Sequence, residues 1–378
     1  MGGRIFPVIL AGGASTRLWP ASGREKPKWD LRLFGSADST GKANNLLESA
    51  WERAQAVAAP ADCYVVTGVA QARLVQASLP ELPRENLLVE PEPRDTAGAV
   101  AFAAGAIMKK IRQSGAGAAG QPAVMLVLPG DHVIRPISRF ITCAFTGAQA
   151  AAELGTLVTF GVVPRSPSTA LGYIHRGPEA VLKQPLADGP QLYRVLQFRE
   201  KPDKAVAAQY VSGGEYYWNS GIFMWTLEVL VREMERQLPE HAAMARALSE
   251  AEAFGGVVQQ HYPGLKKTSI DFGIMEHAQA VTMVAADFLW DDIGSWSAVA
   301  GHLDRRMDNV LGPDTNLITV DAKGNFVFAP GKRVALIGVE GLAVIESENE
   351  ILVCRLERDQ DVRKASEEAS KKPANGKG

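Results

Sequence analysis

The stretch VILAGGASTRLWPASGREKPK, Val8 to Lys28, carries the reading of the whole chain. It opens on an apolar run, breaks at Gly12-Gly13, passes two small hydroxyl residues and Arg17, and closes on Lys26-Pro27-Lys28. A strand ending in paired glycines can turn sharply and bring backbone N–H groups close to a phosphate. A dinucleotide fingerprint needs further glycines at set offsets and an acidic residue about 20 positions on. The order Gly12-Gly13-Ala14-Ser15-Thr16-Arg17 does not supply them, and no G-x-x-x-x-G-K-[ST] run lies between Gly13 and Lys28. On the glycines alone, a tight turn without any ligand stays open. Arg17 adds a guanidinium fork for phosphate oxygens, and Lys28 a compact charge on a flexible stem. Either alone is most often a solvated surface charge; together, behind a glycine turn, they point to an anion site.

The rest of the chain bounds what that site serves. Its 378 residues exceed one ordinary core, and the composition is that of a globular protein, 46% hydrophobic and 22% charged. With a net charge of −2 there is no global basic field for nucleic acid, so any anion is held locally. Cys63, Cys143 and Cys354 are far apart and lie in largely apolar stretches, which suits buried thiols rather than zinc or disulfides. The apolar run Ile5–Ala11 is too short for a signal peptide, and no window approaches the ~20 apolar residues of a membrane span. The expectation is a cytoplasmic protein with no membrane partner.

Apolar runs at 5–10, 63–68, 86–91, 123–130 and 157–164 alternate with alanine-rich stretches at 46–58, 95–113 and 138–153. Continuous apolar strands alternating with helices predict a parallel sheet covered on both faces. Residues 112–122 read as a surface loop, and 228–253 as a solvated amphipathic helical region. From Leu317 to Leu356 only short strand-like pieces remain (LITV, FVFA, VALIGV, LAVIES, EILVCRL), punctuated by Gly, Asp, Pro and Asn, as in a small all-β unit. From Ser366 onward no large apolar residue remains, so the end is expected to fray.

Read further, LAGGASTRLWPASGREKPK resembles the signature loop of the sugar-1-phosphate nucleotidyltransferases, L-A-G-G-x-G-T-R-L-x-P…P-K, and RLWP is similar to the mannose-1-phosphate guanylyltransferases among them. The resemblance implies that this loop wraps the triphosphate, with Leu10, Ala11, Gly12, Gly13, Arg17 and Lys28 at the nucleotide and Arg17 and Lys28 neutralising charge in catalysis. VLPGDHVI (127–134) places Asp131 at the end of an apolar strand, where a carboxylate is costly unless it faces a cleft. It resembles the family's LPADH, which implies Gly130 at the nucleotide and Asp131 as a Mg²⁺ ligand. DFLWDDIGSW (287–296) is similar to W-x-D-V-G-S-W, which makes Asp292 the second Mg²⁺ ligand and leaves Asp291 a solvated neighbour.

EPEPRDTAGAVAFAA (90–104) resembles EPxxRNTAPAI, near base and ribose, with Asp95 and Thr96 as contacts; here Asp95 replaces asparagine and Gly98 replaces proline. LGYIHRG, FREKPD and YYWNSGIFMW follow in the family's order and assign Gly172, Tyr173, Glu200, Lys201 and Asn219 to the sugar phosphate. SIDFGIMEH (269–277) fits as well. The implied architecture is α/β: a Rossmann-like, mixed but mostly parallel, GT-A-like catalytic domain over 1–300, a small left-handed β-helix over 312–365, and a disordered tail, 366–378. The implied substrates are GTP and mannose 1-phosphate, the cofactor Mg²⁺. An exposed edge on the β unit leaves room for a homodimer. The residues by themselves leave open another sugar phosphate or triphosphate, or a silent sensor on the same fold. One departure touches the loop itself: PKWD stands where PKQF is common, and Asp30 would weaken the field of Lys28 if it pointed inward.

Overall fold

The computed structural model describes residues 3–13, 16–23, 26–34, 44–114, 121–306 and 308–371. Its contacts divide into two units, one of residues 1–11, 50–129 and 134–290, the other of 12–49, 130–133 and 291–378. The strands in chain order are β1 (Arg4–Leu10), β2 (Tyr64–Gly68), β3 (Leu87–Glu90), β4 (Ala123–Pro129), β5 (Val133–Arg135), β6 (Leu157–Val162), β7 (Tyr173–Glu179), β8 (Leu192–Arg199), β9 (Tyr216–Thr226) and β10 (Val281–Ala286).

Among the described residues the first unit builds a nine-stranded sheet, ordered β3-β2-β1-β4-β9-β6-β10-β8-β7, with β5 outside it. Pairing is parallel through β3, β2, β1 and β4, and again between β6 and β10. β9 enters antiparallel between β4 and β6, and β7 and β8 extend the far edge antiparallel, so the sheet is mixed. The continuous apolar runs of β1, β4 and β6 follow from burial on both faces. Leu10 pairs with both Val66 and Pro129, so β1 and β4 end at one level while β2 runs on to Gly68. The next residues along the chain from two of these ends are Ala11-Gly12 and Gly130-Asp131.

Helix Asp95–Ser114 packs its small residues into this core. A Cβ at Gly105 would lie 2.7 Å from Leu248 Cβ, which shows how closely helix Pro239–Glu250 is seated. The region 228–253 is therefore more than a solvated surface. Leu230, Met234, Met244, Ala245 and Leu248 are fully buried, and the many charges occupy only the outer faces. Cys63 and Cys143 are buried, and burial pushes both thiols up to about 12; Cys354 is only half-buried, unlike the expectation. No described helix is long and apolar enough to cross a membrane.

The second unit is a coil of short strands. Asn309–Leu311, Phe326–Phe328 and Leu342–Ser347 pair in parallel, Asn316–Val320 pairs in parallel with Arg333–Ile337, and Glu350–Arg355 closes antiparallel on Leu342–Ser347. Asn325 bonds Asn309 Oδ1 through both its backbone and side-chain N–H groups and donates to Val339 O, stitching successive turns. Strand structure begins at Arg305, earlier than the expected 312. The expected fraying from Ser366 is also corrected: Val362–Lys371 is a helix with Val362 and Ser366 buried, an amphipathic face that composition alone hid. Residues 372–378, the rest of that tail, and 115–120 of the expected surface loop lie outside the described residues.

Candidate active site

The glycine-rich loop belongs to the second unit, not to the sheet it leaves. Gly13 has φ +94°, a conformation open to glycine at little cost, which explains the second glycine of the pair. Ala11 uses its own backbone within the first unit, donating to Val66 O and accepting Thr67 Oγ1 at 2.7 Å. Leu10 closes β1 half-buried, and its place here is that of the strand end. Further on, Trp29 is fully buried and seats the short helical turn Lys28–Asp30. That turn directs Lys28 inward, where it is only 6% exposed.

Inside, the Lys28 ammonium donates to Asp131 Oδ2 at 2.6 Å and to the Asp292 carbonyl at 2.6 Å. Two segments, 103 and 264 residues away in the chain, thus meet on the Lys28 cation. Burial pushes the Asp131 carboxyl up, but the Lys28 charge, the His132 ring 3.6 Å away and the Lys28 hydrogen bond outweigh it, leaving the group below the usual range. Arg17 Nη2 lies 3.8 Å from Asp292 Oδ2, with the guanidinium nearly half exposed. Gly130, buried, turns the chain from β4 into Asp131.

The DDIGSW segment is built for this arrangement. Asp291 is not a solvated neighbour: it accepts Ile293 N at 2.8 Å and lies 3.0 Å from His302 Nε2, bracing the turn. Ile293 sits at φ +46°, an unusual cost for a β-branched residue. At Gly294 an added Cβ would stand 2.9 Å from Arg17 Nη1 and 3.1 Å from Asp292 Oδ2, so the guanidinium needs the missing side chain. Trp296, fully buried, donates Nε1–H to Trp19 O and packs against Phe326 and Phe328. Gly294 and Asp291 were missed as functional supports, although both lie in the quoted motif. Asp30 does not need to act on Lys28, because it accepts the Asn45 amide at 3.2 Å.

A second cluster lies within the first unit. Asn219, on β9, donates its backbone N–H to Gly172 O and its side-chain Nδ2–H to Asp271 Oδ1 at 2.7 Å. Its Oδ1 accepts Gly221 N at 3.2 Å. A Cβ at Gly172 would meet Glu200 Oε2 at 2.6 Å, so glycine admits the carboxylate. Lys201 Nζ pairs with Glu200 Oε1 at 2.9 Å on the exposed side. Tyr173 does not offer a free hydroxyl: it is fully buried and donates to Ser168 O. Asp271 was not singled out by sequence, though SIDFGIMEH contains it.

The Asp95 segment is held separately. Asp95 has φ +63°, a region that Asn and Asp tolerate best, which accounts for the exchange of one for the other here. Its carboxylate accepts Thr96 N at 2.7 Å. Thr96 Oγ1 accepts Ile270 N at 2.8 Å. Gly98 is required where proline is common, since a Cβ would lie 3.0 Å from the buried Tyr262 hydroxyl.

A mixed α/β sheet with a basic glycine loop and a strand-end aspartate, joined to a coiled β unit, is the pattern of a nucleotidyltransferase. The sequence profile described as nucleotidyl transferase matches residues 6–304, and that of the mannose-phosphate isomerase/GMP-like β-helix domain matches 315–368. A mannose-1-phosphate guanylyltransferase of Escherichia coli is 34% identical over 370 residues, covering 96% of this chain and 73% of that protein. One of Sinorhizobium fredii is 33% identical, covering 95% of this chain and 66% of its own length. A crystal structure from Thermus thermophilus, described as a mannose-1-phosphate geranyltransferase, superposes with a TM-score of 0.81 at 31% identity, covering 97% of this chain and 99% of that one. The chain belongs to the nucleotidyltransferase family and, within it, to the group of the mannose-1-phosphate guanylyltransferases.

Proposed function

We propose that the chain transfers GMP from GTP to α-D-mannose 1-phosphate, giving GDP-mannose and pyrophosphate. The observation that carries this reading is Lys28, a buried ammonium held by the Asp131 carboxylate and the Asp292 carbonyl, with Arg17 3.8 Å from the Asp292 carboxylate. Cations fixed in place before the substrate arrives need no reorganisation to stabilise charge on phosphate oxygens. The turn at Gly12-Gly13 lets the backbone approach the same anion closely.

Asp131 and Asp292 are hard oxygen donors, with side chains 33% and 26% exposed. Mg²⁺ takes few protein ligands and fills its shell with phosphate and water, so two such carboxylates fit it. When bound, Mg²⁺ would supply Lewis-acid neutralisation of the triphosphate. Arg17 and Lys28 bind and neutralise the phosphates, Asp95 and Thr96 place the nucleoside, and Lys201, Asn219 and Glu200 hold the sugar phosphate. The sugar's phosphate oxygen attacks the α-phosphorus and pyrophosphate leaves in line. No protein nucleophile is required, because positioning two mutually repelling anions is the main task.

The names of the relatives support guanine and mannose, and the charged residues support the phosphate chemistry. Pyrophosphate release with a panel of nucleoside triphosphates and sugar 1-phosphates tests both. The expected result is highest kcat/KM for GTP with mannose 1-phosphate. Preference for another pair would reassign the substrates, and tight binding without turnover on any pair would overturn the enzyme reading.

A further inference from the structure

The Asn219 cluster holds a second carboxylate besides Glu200, that of Asp271. Asp271 lies on the one-turn helix Ile270–Gly273, capped by Ser269 Oγ accepting Phe272 N. The segment is tied down from both sides of its start, by Ala97 N donating to Thr268 O and Ile270 N donating to Thr96 Oγ1. From there Asp271 Oδ1 takes the Asn219 amide at 2.7 Å, a short contact for an N–H donor. With Asn219 Oδ1 accepting Gly221 N, the carboxamide has one orientation, and among the described residues Nδ2 donates to Asp271, which leaves its second N–H for a ligand.

We propose that Asp271 is a positioning and specificity-determining residue of the sugar 1-phosphate site, fixing the Asn219 carboxamide and receiving a sugar hydroxyl on the carboxylate oxygen that Asn219 leaves. The inference rests on the transfer to mannose 1-phosphate proposed above. A sugar hydroxyl both donates and accepts. One N–H of Asn219 together with carboxylate oxygens of Asp271 and Glu200 offers the complementary set. Burial pushes the Asp271 carboxyl up to about 6, with the Asn219 bond pulling the other way and the anionic Glu200 and Glu276 adding to the rise. A partly buried anion whose hydrogen-bond partner is a neutral amide gains from an incoming O–H donor.

The test is steady-state pyrophosphate release by full-length wild type, Asp271→Asn and Asp271→Ser, with mannose 1-phosphate and its monodeoxy analogues. For Asp271→Asn the KM for mannose 1-phosphate should rise roughly 10- to 100-fold, with kcat and the KM for GTP within about threefold, the loss expected for a charge-assisted hydrogen bond. One deoxy analogue should be penalised in the wild type and lose most of that penalty in the variants. Unchanged KM, or an identical deoxy profile in all three proteins, would overturn the inference. A further measurement uses the wild type alone, so it survives a variant that fails to fold. The ratio of KM for the penalised analogue to KM for mannose 1-phosphate should fall toward one as pH drops below about 6. Both compounds carry the same phosphate, so its titration cancels; a pH-independent ratio would overturn the proposal. Absence of turnover by the wild type on any sugar 1-phosphate would instead remove the underlying reading, and this inference with it.

Discussion

The two clusters differ in how their charge is balanced before any ligand arrives. At the loop, the buried ion is a cation, Lys28, met by a carboxylate and a carbonyl oxygen. At Asn219, the partly buried ion is a carboxylate met by a neutral amide, with two further carboxylates, Glu200 and Glu276, raising its cost. The first is nearly neutral, with its cations already in place for an incoming anion. The second is short of donors and suited to a neutral, hydroxyl-rich partner. On the function proposed above, the first cluster would take phosphate and the second the hydroxyls of the sugar.

The strongest way to break this comparison is at Lys28. Lys28→Ala should lower kcat/KM about 1000-fold, since a preorganised charge on the reacting phosphates is worth several kcal/mol. Pyrophosphate release reads this directly, and Lys28→Arg should not restore it, because a planar fork cannot fill the space of a compact ammonium. Activity within tenfold of wild type would remove Lys28 from the chemistry. Asp131→Asn attacks the same pair from the other side and leaves Lys28 buried without its counter-ion. It should cost about 1–2 kcal/mol in denaturant unfolding, less than a fully buried pair because Asp131 is one-third exposed. The sign with pH follows from the depressed Asp131 carboxyl: the pair's contribution is present above the ordinary carboxylate range and is lost as pH falls through the lowered folded value. Asp131→Asn should therefore flatten the acid limb of the stability curve.

The strands and helices that form the sheet, and the residues of the loop cluster, were legible because each carries a local signature. Continuous apolar runs mark β1, β4 and β6. A strand-end carboxylate such as Asp131 is costly unless it faces a cleft or caps a turn. What was not legible depends on tertiary packing. Nothing local reveals that the glycine loop packs with residues 291–378, because the ties are single long-range contacts such as Trp296 to Trp19 O and Lys26 to Glu348. Asp291 and Asp292 are adjacent in sequence, yet one braces a turn and the other faces Arg17. Asp271 looks like any helix-start acid until the fold brings Asn219 to it. Likewise, 362–371 shows composition typical of a tail and is folded by one narrow buried stripe.

Gly294 sharpens the comparison at intermediate size. A Cβ there would crowd the end of the Arg17 side chain at 2.9 Å, and such a flexible end can move aside. Gly294→Ala should therefore fold with a thermal midpoint close to wild type. Displacing the guanidinium from Asp292 should raise the KM for GTP roughly 10-fold, the order of one charge-assisted contact. Mannose 1-phosphate should bind as before, since the Asn219 cluster is untouched. A parallel rise in both KM values would mean that Arg17 serves the sugar phosphate as well, and the separation of roles drawn above would not stand.

The smallest effect is expected at Asp30, where sequence alone suggested a threat to Lys28. Asp30 directs its carboxylate to Asn45, and burial raises its carboxyl, with the Asn45 bond and Arg32 pulling it back. Because its folded pKa is raised, the charged form costs stability as pH climbs from the ordinary carboxylate range through the raised value. Asp30→Asn removes that cost while keeping an amide-to-amide hydrogen bond within reach of Asn45. GTP affinity, measured by calorimetry, should change less than twofold, and stability near neutral pH should hold or rise slightly. A rise in GTP affinity of tenfold or more would show that the carboxylate does oppose Lys28. The loop cluster would then carry a built-in restraint on its cation, and the neutrality that sets it apart from the Asn219 cluster would be its tuned property.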